Sequence, residues 1–451
     1  MASASLSRSI SASPTNPDKF TVSVWVKKSK SAEQVVLGNY ASSNFRAKLQ
    51  FKSDDKLEYY QVNDGGVTAQ LKTNRKFRET SAWYHVLVQF DTSQGTASDR
   101  IKIYINGTQE TSFETSTYPA QNLDMRLNQA STTLKIGQDG NSGNYFDGQM
   151  THVHLADGQT YAPTIFGETD STTGIWKPKP SPSGVTYGDD GFFLKMDNSA
   201  NMGLDSSGNS NNFTTSGTII QNKDTPSNVF AVWNKLDWGT TYFTLSDSSL
   251  TAQSNASVYT YGVATLGVSK GKYYWEVEYD AKNGGNRYPQ IGITSTQSTA
   301  TSYELGHYAN DWSWYINNTT GKLRNNNSDT NWGNYYEEGD IIGVALDCTN
   351  NKLYFSKNGV FQESGNPSAG SGGISITAAA STPLGFYFPA ICYFDGTYRG
   401  TFKANFGNGY FGTTAVASAQ NPDDGVGIFE YDPPTGYKAL CTKSINAQEY
   451  S

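Results

Sequence analysis

The chain has 451 residues, 17% of them charged, with 34 Lys and Arg against 41 Asp and Glu and a net charge of −7. That length exceeds one ordinary domain and suits two of roughly 200 residues, each long enough to bury a core. The acidic balance, without a basic cluster, excludes a nucleic-acid binder, whose phosphates demand Lys and Arg, and a protein that docks on an anionic membrane.

The opening MASASLSRSISASPTNP lacks the apolar run of a signal peptide, and no stretch of about 20 apolar residues is present to enter a bilayer. The composition of 44 Gly, 29 Tyr, 22 Phe and 9 Trp favours strands and turns. FTVSVWVKK (20–28) is the first clear strand, with Phe20, Ser23, Trp25 and Val26 in a β-rich run. QVVLGNY, KLQFKSDDKLEYYQV and WYHVLVQFD follow, parted by Gly, Asn and Asp at the ten-residue spacing of a sandwich or barrel. In RIKIYINGTQE (100–110), Ile101, Ile103 and Ile105 point one way, and Asn106-Gly107 signals a type I′ hairpin, whose two central residues need φ > 0. LKIGQDGNSGNYFDGQMTHVHLADG closes this first set.

WKPKPSPSG (176–184) is a Pro-rich break, and the following GDDGFFLKMDNSANMGLDSSGNSNNFTTSG is rich in Asn, Ser and Gly. Strands resume with KYYWEVEYD (272–280), PQIGITS (289–295), DWSWYINNTTGKL (311–323), DIIGVALD (340–347), KLYFSKNG (352–359), FYFPAICYFD (386–395) and GTFKANFG (400–407). No window shows a helical period. The fold class is therefore all-β: two antiparallel β-sandwich domains, 1–180 and 236–440, joined by a Pro/Gly/Asn-rich connector over 181–235, with a tail at 441–451. Cys348, Cys392 and Cys441 lie far apart without metal-type spacing. They read as reduced thiols, with a single disulfide as the alternative, which suits synthesis in a cytoplasm.

The second half resembles a SPRY domain over about 236–412: GVSKGKYYWEVEYD from Gly267, PQIGITS, ELGHYANDWSWYINNTTGKL, EEGDIIGVALDCTNNKLYFSKNGVFQ and PLGFYFPAICYF together carry the likeness. The first half is similar to laminin-G-like, concanavalin-type jelly rolls over about 6–166, through FTVSVWVK, Trp83-Tyr84-His85-Val86, IYINGT, and KIGQD followed by YFDGQMTHVHL. The joining pieces IFGETDSTTGIWKPK, DTPSNVF and YDPPTGYKALCTKSI resemble virion proteins of tailed bacteriophages, tail-fibre-like and surface components in which a jelly roll precedes a SPRY-like sandwich. FFLKMD to DSSGNSNNF also resembles the first strands of a jelly roll, which would place it in the second sandwich.

Glu276, Glu278 and Asp280, at i, i+2 and i+4, share one strand face. Neighbours there sit about 7 Å apart, wider than the retaining separation of glycosidases. The run is Glu-Val-Glu-Tyr-Asp, not the Glu-x-Asp-x-x-Glu of concanavalin-type hydrolases, and in SPRY domains these carboxylates face solvent. His152 and His154 also share a face, but zinc wants three or four ligands and only Asp147 and Asp157 are close, so a half-exposed strand face is expected. His85 reads as a core-edge residue held by a hydrogen bond. Asp139, Asn141 and Asn144, or Asp205 and Asn209, offer oxygen ligands to calcium, which laminin-G-like domains often carry; Asx turns explain both stretches as well.

Aromatics in loops are the main candidate binding residues: Tyr303, His307, Tyr308, Trp312, Trp332, Tyr335 and Tyr336, because exposed Trp and Tyr anchor partners and stack on sugars. Trp314 is expected in the core. The resulting expectation is a non-enzymatic phage virion protein, a tail-fibre-like adhesin that meets host-surface glycan and other virion proteins as a homo-oligomer such as a trimer, on the virion surface. A capsid decoration or head-fibre protein and a polysaccharide-degrading glycoside hydrolase are the alternatives.

Overall fold

A computed structural model of the chain describes residues 4–10, 13–141, 143–237, 239–255, 261–282, 288–297, 303–317, 320–393 and 399–449. Residues 318–319, 394–395 and 450–451, at the ends of or within expected segments, lie outside the described residues. Two compact units divide the chain, 1–221 with 225–227 and 222–224 with 228–451.

The first unit pairs two antiparallel sheets. Eight strands run in the order Phe113–Thr117, Gly66–Lys76, Lys56–Asn63, Phe45–Phe51, Gln34–Ser42, Thr132–Ile136, Ser5–Ile10 and Thr214–Ser216. Six run Phe192–Leu194, Gly148–Asp157, Lys19–Lys28, Tyr84–Asp91, Ile101–Ile105 and Thr108–Glu110. Side chains alternate across a strand, so Val22, Val24, Val26, Val86, Val88 and the three isoleucines of 101–105 meet Leu49, Phe51, Leu57, Tyr59 and Leu71 in one core. Phe20 stacks on Phe90 at 4.4 Å, and Tyr59 meets Phe90 edge-on at 5.0 Å.

Of the connector expected over 181–235, residues 181–221 and 225–227 belong to this first unit, including the stretch expected to start the second sandwich, and the rest belongs to the second. Phe192–Leu194 pairs with Gly148–Asp157, and Thr214–Ser216 pairs with Ser5–Ile10. The reason lies in the Phe192-Phe193-Leu194 run: Phe192 and Leu194 enter the first core with Met202 and Phe213, while Phe193 turns outward onto His154. Nor does the Pro-rich stretch begin as a free break, since Trp176–Pro178 pairs with Gly167–Thr169 in a small hairpin.

The second unit is also a sandwich. One sheet runs Phe243–Ser246, Thr251–Ser254, Gly400–Asn405, Lys272–Lys282, Ile341–Asp347, Lys352–Lys357 and Val360–Phe361, with two short additions. The other runs Tyr261–Val263, Phe388–Tyr393, Pro289–Thr294, Asp311–Asn317, Thr320–Asn325 and Ser328–Asn331. Trp275, Val277, Val344 and Phe355 pack against Ile291, Ile293, Trp314 and Ile391 in its core. The expected C-terminal tail is a helix, Thr442–Glu449. Its Gln448 side chain pairs with both backbone groups of Lys272, at 2.8 and 3.0 Å. This helix is short and polar, with Ile445 as its contact to the core, so no apolar period marks it. The three cysteines are buried and form no disulfide.

The two Asn-Gly hairpins are built alike. Asn106 and Gly107 have φ of 48° and 83°, Asn358 and Gly359 have 48° and 79°, as a type I′ turn requires. Each Asn side chain also closes the neighbouring strand: His85 N donates to Asn106 Oδ1 at 2.8 Å, and Ile341 N to Asn358 Oδ1 at 2.9 Å. Each glycine lies under an aromatic ring from farther along the chain. A Cβ on Gly107 would meet Trp176 at 3.2 Å, and one on Gly359 would meet Tyr431 at 2.6 Å. Gly359→Ala should therefore destabilise the second unit by roughly 1–3 kcal/mol. Gly95→Ala, where nothing lies within 4 Å, should change stability by less than about 0.5 kcal/mol. Urea titration of the two variants checks both.

Candidate functional site

The seven aromatic candidates do not form one site. Tyr303, His307 and Tyr308 come together: the Tyr303 and His307 rings stack at 3.8 Å and 8°, and Tyr308 stands nearly perpendicular to both. Their loop is seated on the 325–328 turn, where Asn327 N donates to Gly306 O at 2.9 Å. Arg324 braces it between Glu304 at 2.8 Å and Asp329 at 2.7 Å. Tyr336, expected in a contact surface, is instead core: it is fully buried, with its hydroxyl 2.8 Å from Pro289 O and 3.1 Å from Trp314 O. Trp332 is half-buried, edge-on to Trp314 at 5.5 Å and to Phe355 at 5.8 Å. Trp312 is half-buried against the same core, and Trp314 is fully buried. The chain after Ser328–Asn331 folds back over the sandwich, a long-range placement that carries no strand period. Of the three aromatics at 332–336, Tyr335 is the exposed one, at 44%. The Lys357 ammonium lies 5.3 Å over its ring.

The carboxylate row is not an open acid–base pair. Glu276 is fully buried and accepts from Glu430 N (2.9 Å), Tyr431 N (2.8 Å), Tyr274 Oη (3.2 Å) and Asn405 Nδ2 (3.2 Å). Its place facing solvent is taken by the 429–441 segment, whose Phe429, Tyr437, Ala439 and Cys441 pack on Tyr274 and Tyr354. Burial pushes the Glu276 carboxyl up to about 7, against the donors that favour its charge. Lys403 holds the other two, Asp280 at 2.6 Å and Glu278 at 3.7 Å.

Of the histidine pair, His154 is covered, whereas His152 is half-buried. A bulge between Thr151 and His154 puts His152 at φ 49°. His154 is buried, stacked on Phe193 at 3.9 Å and bonded through Nδ1 to Tyr187 Oη at 2.9 Å. His85 is held by hydrogen bonds from both sides. Trp176 Nε1 donates to its Nδ1 at 3.0 Å, which leaves the proton of the neutral ring on Nε2, donated to Ser23 Oγ at 2.8 Å. Burial drops His85 to about 3 and His152 to about 4, and His154 well below the ordinary range.

The calcium candidates serve the chain's own donors. Asp205 accepts from Phe193 N, Ser207 N, Ser207 Oγ and Asn211 N, all at 2.8–2.9 Å, and Asn209 Nδ2 donates to Gly188 O. Asp139 pairs with Lys48 and accepts from Asn141 N, and Asn144 Nδ2 donates to Glu33. Among the described residues no group of three or more His, Cys, Asp or Glu could hold a metal ion.

A site that the sequence reading missed lies on the outer face of the eight-stranded sheet of the first unit. A groove of about 440 Å³ is lined by Arg46, Lys48, Gln50, Glu58, Tyr60 and Gln70, with Glu33, Lys52, Lys72, Glu114 and Thr115 at its sides. The register sets these residues in two cross-strand rows, Gln50–Glu58–Lys72–Thr115 and Lys48–Tyr60–Gln70. Glu58 is the centre of the floor, buried, accepting from Gln50 Nε2 and Gln70 Nε2 at 2.7 Å each. Gln50 Oε1, turned away, has no hydrogen-bond partner among the described residues. The signal was present as polar residues at every second position, 46 to 52, 56 to 60 and 70 to 72, on adjacent strands. The volume falls in the range of small-ligand sites, and the lining is far more polar than most.

Residues 4–165 match the family model of the Concanavalin A-like lectin/glucanases superfamily, and residues 272–407 match the SPRY domain. The chain thus carries both domain types, a make-up that points to a binding module. No curated protein matches the chain. Among solved structures, stonustoxin is 16% identical over 39% of this chain, with a TM-score of 0.29; the chain spans 28% of its length. The SPRY domain of human HERC1 is 17% identical over 34% of this chain and 87% of its own, at 0.26. The native heptameric SAP-like pentraxin from Limulus polyphemus is 18% identical over 35% of this chain and 71% of its own, also at 0.26.

The buried groups give the two units opposite responses to acid. His85 and His152 bind no proton in the folded chain until far below 6.5, whereas the unfolded chain binds it near 6.5. Acidification from pH 7.5 to 5 should therefore cost the first unit about 2 kcal/mol per histidine. Glu276, and Asp311, which burial raises to about 6, hold protons in the folded chain that the unfolded chain has released. Their contribution is full below the ordinary carboxylate pKa and lost as pH rises through 6 to 7, so the same acidification should stabilise the second unit, by about 2 kcal/mol through Glu276. Urea unfolding read by pulsed hydrogen exchange on the intact chain should show the first unit's midpoint falling and the second's rising.

Proposed function

We propose that the chain is a non-enzymatic adhesion protein that recognises glycan on a bacterial surface, carried on the outside of a tailed-phage particle. The groove of the first unit carries this reading. It presents amide, hydroxyl and ammonium groups in two rows beside the Tyr60 ring, the mixture of polar contacts and ring face that holds a sugar. The lectin-like and SPRY composition supports a binding role. The virion setting rests on the joining segments, which resemble those of phage surface proteins. The carboxylate row supports a non-enzymatic reading, since Glu276 is enclosed and Lys403 occupies Glu278 and Asp280.

A second reading, attachment to a neighbouring particle protein, is favoured by Tyr335 and Val360, exposed at 44% and 68% near Lys357, which pairs with Val360 across its hairpin. Mass spectrometry of purified virions separates a handful of adhesin copies from the hundreds of a decoration protein.

Labelled protein should bind host cells, and mild periodate oxidation of the cell surface should abolish the binding. Tyr60→Ala combined with Lys48→Ala should do the same without lowering the melting midpoint by more than a few degrees, which corresponds to about 1 kcal/mol. Binding that survives both treatments would exclude glycan recognition by the groove.

A further inference from the structure

We infer that the groove takes a neutral, polyhydroxylated glycan and rejects acidic ones, with the Glu58 carboxylate setting that preference; this rests on the glycan-binding reading above. The ionic make-up of the face is the first ground. Arg46, Lys48, Lys52, Lys56 and Lys72 give five positive charges, and Glu33, Asp54, Glu58, Glu114 and Asp139 give five negative ones, a net of zero. The lysines are already answered from within: Lys48 by Asp139, Lys52 by Glu33, Lys56 by Glu114, and Lys72 by Asp54 and Glu114. A site made for uronates or sulfates would hold its cations unpaired over the floor. Here Arg46 is the one lining cation without a carboxylate partner among the described residues, and it lies 5.9 Å over the Tyr60 ring.

The floor is the second ground. Glu58 puts a carboxylate at the centre, flanked by two amides that both turn their N–H groups to it. An anionic sugar brought over this centre meets like charge and must break ion pairs to gain a cation. A neutral sugar meets no like charge there. Its hydroxyls can donate to the amide carbonyl oxygens that the carboxylate has turned away, of which Gln50 Oε1 has no present partner, and accept from the lysine ammonium groups. Gln50 is nearly enclosed, so its oxygen is reached only as neighbouring side chains move.

Isothermal titration of the intact chain tests this with neutral gluco- and galacto-tetrasaccharides against oligogalacturonate and a sulfated galactan fragment of equal length. The neutral probes should bind, with an affinity that changes less than about twofold as salt rises from 0.05 to 0.5 M, because no net charge is neutralised. Tyr60→Ala should weaken that binding at least about tenfold, the loss of one stacking contact. Wild type should ignore the acidic probes, and Glu58→Gln should begin to bind them. Should Glu58→Gln prove poorly folded by its melting curve, the Tyr60→Ala and salt arms still decide. Acidic probes bound more tightly, in a salt-sensitive way, would overturn the inference while leaving glycan recognition standing. Neutral binding untouched by Tyr60→Ala would remove it from this groove. No binding to any probe would overturn the inference and the glycan reading together.

Discussion

A β-strand shows its two faces in turn, so a sheet that buries one face in a core must still dispose of the other. That constraint organises both units. In the first, the outer face of the six-stranded sheet is closed by the unit's own later chain: Phe166, Trp176, Tyr187 and Phe193 settle on His85 and His154. In the second, the 429–441 segment closes the outer face around Tyr274, Tyr354 and Glu276. The outer face of the first unit's eight-stranded sheet stays polar above Glu58 and carries the groove, and recognition is assigned there.

The closures explain why chemically suggestive residues turn out to be structural. A carboxylate row and a histidine pair look like sites when a strand is read alone. Glu276 is instead the receptor for two successive backbone N–H groups of the returning segment, and His154 is one layer of an aromatic stack. Both are buried at a cost in protonation freedom, which is why their titration is displaced in opposite directions.

Much of the fold was legible because it rests on local signals. The alternation in 20–28 and 101–105, and the Asn106-Gly107 and Asn358-Gly359 turns, state their own geometry. The match between those turns was also visible, although not the aromatic ring that each glycine receives. What was not legible depends on contacts distant in sequence. Phe192–Leu194 looked like the opening of a new domain because its partner strand lies some forty residues earlier in the chain. The helix Thr442–Glu449 has no apolar stripe. Tyr336 stands in a polar run and reaches the core only because the chain doubles back. Of the seven loop aromatics read from the sequence, the fold brings Tyr303, His307 and Tyr308 together, while the groove went unread because its polar alternation is spread over strands whose register only the fold supplies.

We place the contact between this protein and its ligand on the open polar face of the first unit. Hydrogen exchange of the intact chain, with and without a saturating neutral oligosaccharide, tests it most directly. Protection confined to 45–52, 56–62 and 66–73 is the predicted result; protection that appears only around 303–308 or 335–360, with these strands unchanged, would contradict it.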